Sequence, residues 1–213
     1  MPPDYDTPFN THGDIMIIPN FLANTHCKFL VEYSNNADTD LLGVHDHGKS
    51  NIHGSDQFAT KTAIRNTKMV KYDDTIKNGM IEVIRHAVET AINPFFNVSI
   101  QRAEAPQILK YDVGGHYDEH VDSEELWHNK HENKIEWKKL FDRDISIFLY
   151  LNDDYEGGEL VFPNQHITVN PKSGMLVAFP SNHHFVHSVK PVTKGTRYVV
   201  ATWASLATPE DKI

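Results

Sequence analysis

The chain has almost no cysteine, no long apolar run and no excess of positive charge, and each shortage removes a class of explanation. One cysteine, Cys27, among 213 residues cannot close a disulfide within the chain. Stability must therefore come from a packed core, and the place of Cys27 in an amphipathic pattern marks it as a buried thiol. No apolar stretch approaches the roughly 20 residues that a membrane-spanning helix needs. The first residues, MPPDYDTPFNTHGD, lack the basic start and apolar stretch of a secretory signal. The expectation is a soluble, cytoplasmic protein with no membrane partner. Lys and Arg number 20 against 29 Asp and Glu, a formal net charge of -9. That balance argues against a nucleic-acid partner, because phosphate neutralisation needs clustered basic residues. It leaves room for a basic peptide. The sequence also shows no internal repeat, no low-complexity tract and no HExxH zinc-hydrolase motif.

What is present is punctuated strand pattern and histidine. An apolar strand over Ile15 to Ile18 leads through Pro19 to a helix that Asn24 or Thr25 can cap, with Phe29, Leu30 and Tyr33 at helical spacing. Residues 35–66, rich in Gly, Asn, Asp, His and Ser, read as loop with short strands. A second helix, from Asp74 to Ile92, carries Ile76, Met80, Ile84 and Val88 on one stripe and is expected to stop before Pro94. Beyond it, short strand patterns recur near 97–104, 106–112, 116–121, 144–152, 158–162, 166–170, 174–180, 185–190 and 196–204, broken by NDD, GG, PN, PKSG and TKG. Such a series predicts an α+β, mainly β fold with a double-stranded β-helix (jelly-roll) core over about 97–205. Helical and loop support over about 1–96 completes one expected domain, 1–213.

Fourteen histidines are many for this length, and they cluster. In HYDEHVD, His120 and Asp122 stand two apart on a predicted strand, so both leave the same face and can share one ion. Two histidines and one carboxylate on one octahedral face suit non-haem Fe(II) with open positions. The third ligand is expected from His183, His184 or His187 of HHFVH, and His187, which opens a strand pattern, is the expected one. A second His-Asp-His tripeptide at 45–47 has no evident distant partner.

The surroundings of these residues resemble the prolyl 4-hydroxylase family of 2-oxoglutarate dioxygenases. The likeness runs in order through QILKYDVGGHYDEHVD, RDISIFLYLNDDYEGGELVFP, PKSGMLVAFP and HSVKPVTKGTRYVVATWAS, covering about residues 100–205. It implies an enzyme that uses Fe(II), 2-oxoglutarate and O2, with ascorbate as reductant, to hydroxylate a peptidyl proline at C4 and release succinate and CO2. It also implies iron ligation by His120, Asp122 and His187, and anchoring of the distal 2-oxoglutarate carboxylate by Arg197 with the hydroxyls of Tyr111 and Ser146. Retention of Asp122 favours hydroxylation over halogenation. Tyr117, Trp203, Glu104, Arg143 and Arg65 match positions that face a proline-containing peptide. Arg197 departs from the Lys common in that family, which puts the prolyl substrate in question more than the cofactor. Two other readings stay open: the same chemistry on a free amino acid, another side chain or a small molecule, and a metal-binding jelly roll without turnover.

Overall fold

The computed structural model describes residues 10–12, 14–45, 58–59, 62–129 and 134–207. Two antiparallel sheets face one another. The larger runs Asn10–His12, Ile15–Ile18, Leu176–Pro180, Ile145–Tyr150, Arg197–Leu206, Gln107–Tyr111, Lys68–Val70, Thr39–Leu41, with Ile100–Ala103 against the far half of Arg197–Leu206. The smaller runs Ile167–Val169, Leu160–Phe162, His187–Val189, His116–His120, Arg65–Asn66. This is the expected double-stranded β-helix.

Strand period explains the layering. Ile145, Ile147 and Leu149 alternate with Ser146, Phe148 and Tyr150, and all six are buried because this central strand is covered on both faces. The first set packs against the helices with Ile76, Met80, Ile84 and Cys27. The second set faces the gap between the sheets, with Phe148 and Tyr150 among Phe162, Phe179 and Val189. The same alternation along Arg197–Leu206 sends Val199, Ala201 and Trp203 toward that gap and Tyr198, Val200 and Ala204 toward the helices.

The helices differ from expectation at their ends. Helix α1, Asn24–Asn36, is preceded by Ala23 at the cap position, and no side chain caps it. Asn24 already lies in the first turn, where its Oδ1 accepts from Ser173 Oγ at 3.3 Å. Helix α2, Asp74–Ala87, is capped by Asp73, whose Oδ1 accepts from the Ile76 N–H at 2.9 Å. The helical path does not stop before Pro94. It widens into a π turn at Val88–Ile92 and continues as α3, Asn93–Phe96, with Pro94 in the first turn, where a missing N–H costs little. Within 35–66, short strands Thr39–Leu41, Val44–His45, Phe58–Ala59 and Arg65–Asn66 form. The side chains of the 45–47 tripeptide lie outside the described residues.

Several strands, among them Asn10–His12, Lys68–Val70 and Val192–Lys194, have no counterpart in the sequence reading, and one larger feature has none either. Glu124–Asn129 pairs with Lys134–Lys139 as a two-stranded ribbon standing off both sheets.

Candidate metal centre and co-substrate pocket

Strand register brings the first two ligand candidates together. His120 and His187 are direct partners across the antiparallel pair His116–His120 and His187–Val189, and their ring centroids lie 4.2 Å apart. Between Tyr117 and His120 the register slips, a bulge that turns the end of the strand. Asp122 follows two residues later, just past the strand end. Its Oδ2 accepts from Ser146 Oγ at 2.7 Å, and its backbone oxygen accepts from Arg143 Nη1 at 3.2 Å.

The tautomers are set from behind. His120 Nδ1 lies 2.8 Å from the Asp118 carbonyl and His187 Nδ1 lies 3.0 Å from the Phe185 carbonyl, so each Nδ1 donates and each Nε2 lone pair faces the centre. His187 Nε2 is then 3.4 Å from Asp122 Oδ2, and His120 Nε2 is 3.7 Å from Asp122 Oδ1. Both atoms of each pair are acceptors. Buried acceptors held this close repel unless a cation lies between them, and His187 Nε2 has no hydrogen-bond partner. The ligand atoms of the three residues lie within 4.8 Å of one another, the one such group among the described residues. Burial, reinforced by His187, pushes His120 down to about 3, which keeps its ring neutral and able to ligate. At Asp122 burial would raise the carboxyl, but positive charge on the neighbouring His187 or His120 rings whenever they are protonated, together with the Ser146 hydroxyl, holds it below the usual carboxylate range.

Arg197 opens its strand as the cross-strand partner of Tyr111. It is 1% exposed, and no ion pair of its own is found among the described residues. Its guanidinium sits 4.5 Å from the Tyr111 ring centre and 5.1 Å from that of Tyr150. Arg197 Nε and Nη1, Tyr150 OH and Tyr155 OH all lack partners. Burial raises the Tyr150 and Tyr155 hydroxyls, with Arg197 opposing it, so both remain protonated donors. A buried cation without a counterion costs several kcal/mol, so this pocket suits an anion recognised by a planar fork. Gly158, at φ +69°, makes room: a Cβ there would meet Arg197 Cδ at 2.9 Å and Tyr155 Cε2 at 3.1 Å.

The remaining candidates divide. Tyr117 stacks on His120 with centroids 3.5 Å apart, and burial pushes its hydroxyl up to about 12. The Arg65 guanidinium lies 4.6 Å over the other partner of this stack, Tyr117. Arg143 lies 4.0 Å over Trp203 and donates through Nε and Nη2 to Glu104 at 2.5 and 2.9 Å. One cavity of about 830 Å³ is lined by Arg65, Tyr111, Tyr117, His120, Asp122, Arg143, His187, Arg197 and Trp203. Glu104 and Ser146 are not among its walls. Ser146, expected on the 2-oxoglutarate carboxylate, instead spends its hydroxyl on Asp122 and on Ser181 Oγ at 2.8 Å. The hydroxyl beside Arg197 on that strand belongs to Tyr150, which sequence reasoning missed although it shares the period-2 face of Ser146. His183, set aside as a loop residue, sits in a short 3-10 turn, His183–Phe185, with Nδ1 2.7 Å from Glu124 Oε2.

A jelly roll that joins two imidazoles and a carboxylate at one end of a cavity and an unpaired guanidinium within it is the arrangement of a facial-triad non-haem oxygenase. Residues 106–205 match the model of the 2OG-Fe(II) oxygenase superfamily. Over 198 residues the chain is 30% identical to a PKHD-type hydroxylase of Aliarcobacter butzleri, spanning 89% of this chain and 77% of that protein. A stretch of 69 residues is 44% identical to prolyl 3-hydroxylase 2 of Homo sapiens, 30% of this chain but 10% of that protein. The fold is shared with a prolyl hydroxylase of Trichoplax adhaerens solved with a hypoxia inducible factor peptide, at a TM-score of 0.61 and 20% identity, over 90% of this chain and 83% of that one. The chain belongs to the 2OG-Fe(II) oxygenase superfamily and is an enzyme using Fe(II), 2-oxoglutarate and O2. No helix among the described residues is long and apolar enough to cross a membrane.

Proposed function

We propose that this oxygenase hydroxylates a peptidyl proline at C4, with His120, Asp122 and His187 holding Fe(II) and Arg197 holding the distal carboxylate of 2-oxoglutarate. The observation that carries the reading is the pairing of close buried acceptors at the triad with an orphaned buried guanidinium in one cavity. When bound, the metal and co-substrate supply oxidative decarboxylation to succinate and CO2, coupled to insertion of one oxygen into a C–H bond. The chain's own residues do the positioning. Ser146 and Arg143 orient the Asp122 carboxylate and backbone, and the Asp118 and Phe185 carbonyls fix the imidazoles. Tyr111 lines the cavity beside the guanidinium, and Tyr150, which is not among the cavity walls, packs against it from behind. Trp203, with Arg143 over its ring, supplies an aromatic cavity wall that suits a proline ring, while Tyr117, stacked on His120 beneath Arg65, lines the cavity with both faces covered.

Anaerobic reconstitution with Fe(II) and 2-oxoglutarate, then O2 and proline-containing peptides, tests the assignment. One added oxygen on proline with stoichiometric succinate is expected; oxidation confined to another residue or to free amino acids sinks the prolyl assignment. The 69-residue likeness to prolyl 3-hydroxylase 2 supports C3 as a second reading. Fragmentation and NMR of the product distinguish the two carbons.

A further inference from the structure

Arg197 stands at the end of its strand, and the backbone ladder reaches it from one side, where it pairs with Tyr111. On the other side Ile145–Tyr150 runs antiparallel with Tyr150 opposite Val199, and continuing that register would bring Asn152 opposite Arg197. The strand ends before that point. Leu151 N still donates to Tyr198 O at 3.0 Å, but the Leu151 carbonyl turns to Ser173 Oγ, 3.1 Å away. The Tyr198 N–H, which a continued ladder would have given to that carbonyl, needs another acceptor.

Asn152 supplies it from its side chain. Its Oδ1 accepts from Tyr198 N at 2.8 Å and its Nδ2 donates to Thr196 O at 2.7 Å, so one amide grips the backbone on both flanks of Arg197. Nδ2 also donates to Asp154 Oδ1 at 2.7 Å. With a donor facing Oδ1 and two acceptors facing Nδ2, only one orientation of the amide satisfies all three partners. Asn152 is buried, where backbone groups deprived of it would stay unsatisfied. The turn that carries it is closely docked: a Cβ at Gly195, φ +75°, would meet Asp154 O at 2.9 Å and Tyr155 Cα at 3.2 Å. Thr196 Oγ1 donates to Asp112 Oδ1 at 3.4 Å. Arg197 thus projects from backbone clamped at both of its neighbours.

We propose that Asn152 is a positioning residue that sets how far the Arg197 fork stands from the metal ligands, and that this makes the pocket a gauge for the length of a 2-oxo diacid. A diacid held at the metal by its 2-oxo acid end and at Arg197 by its far carboxylate meets both only if its chain spans a set distance. One extra methylene then costs about tenfold or more in affinity, as long as the fork cannot follow the carboxylate. Asn152 is not among the cavity walls, so it acts through Arg197. The inference rests on the reading of Arg197 as the carboxylate anchor and adds what holds that anchor in place.

The test is calorimetric titration of the anaerobic, Fe(II)-loaded enzyme with 2-oxoglutarate and with 2-oxoadipate, which is one methylene longer. The wild type should favour 2-oxoglutarate by about tenfold or more. Asn152→Ala should weaken 2-oxoglutarate about tenfold and 2-oxoadipate much less, so that the preference narrows while Fe(II) affinity keeps its wild-type value. In turnover the change should fall on the 2-oxoglutarate KM, with kcat at saturation little altered. Asn152→Ser, whose hydroxyl can keep one of the two backbone bonds, should lie between the wild type and Asn152→Ala. Asp154→Ala, at an exposed position, should narrow the preference by less; these two variants carry the test if Asn152→Ala does not fold. Equal weakening of both diacids, or a wild-type preference in folded variants, would overturn the proposal and leave Asn152 a structural residue of the turn. Arg197→Met in the same titrations separates the two readings. If it binds 2-oxoglutarate as the wild type does, the anchor is misassigned and the gauge falls with it. If it loses affinity while the Asn152 variants keep the wild-type preference, the anchor stands and the gauge fails.

Discussion

At the scale of single residues, the site is defined by polar atoms that have nothing to bond. Replacing His120, Asp122 or His187 with Ala removes one of the three proposed ligands and should abolish succinate formation; full Fe-dependent activity in any one variant would remove that residue from the ligand set. Ser146→Ala leaves the ligands in place but deletes the donor at Asp122 Oδ2, so Fe(II) affinity should fall about tenfold to a hundredfold, measurable by metal titration. Arg197→Met should act in opposite directions on two readouts. Loss of charge-assisted hydrogen bonds should raise the 2-oxoglutarate KM by roughly tenfold to a hundredfold. The protein free of co-substrate should melt higher, because a buried cation without a counterion is gone. A variant that melts lower and binds 2-oxoglutarate normally would make Arg197 a structural cation.

At the scale of elements, strand alternation and turn chemistry decide what can be placed. Gly158 is the clearest case: its left-handed φ and the nearness of Arg197 both forbid a side chain. Gly158→Ala should destabilise the fold by about 1–2 kcal/mol in chemical denaturation and also weaken 2-oxoglutarate binding, since the added methyl displaces the guanidinium. The strands at 145–150, 176–180 and 197–206 were legible because continuous apolar runs between turn residues have few other solutions. His120 and Asp122 were proposed from period 2, but the strand ends at His120 after a register slip and Asp122 lies just past it. Tyr150 lay on the same face as Ser146 and was within reach of that reasoning, but which of the two meets Arg197 depends on cross-strand register, which residue order does not carry. The ribbon was not legible: EELWHNKHENKIEWKK mixes charge and aromatics on both of its faces, without clean alternation. The π turn before Pro94 escaped for a related reason, since proline normally ends a helix and only the widened turn lets the path continue.

For the molecule as a whole, the metal site couples protonation, ligand and stability. An unfolded histidine takes a proton near pH 6.5, whereas folded His120 does so only near 3. Between these values the unfolded chain binds more protons, so the metal-free protein should lose stability as the pH falls below about 6.5. Melting temperatures of chelator-treated enzyme between about pH 7 and about pH 5 check this, and His120→Gln should flatten the dependence. Fe(II) with 2-oxoglutarate should raise the melting temperature, by an amount equivalent to about 2.7 kcal/mol when ligand stands at a hundred times its dissociation constant. The pairing of His120 with His187 adds a mechanical side to this coupling. An ion bound by both closes a loop from position 120 to position 187, as a disulfide would, across a seam held otherwise by a few backbone bonds. Amide exchange in His187–Val189 should therefore quicken on metal removal while Ile145–Tyr150, walled in on both faces, stays protected. With His120 and His187 as its proposed ligands, the iron would be a reversible cross-link as well as a reagent, and the smaller sheet would be only as firm as its hold on the metal.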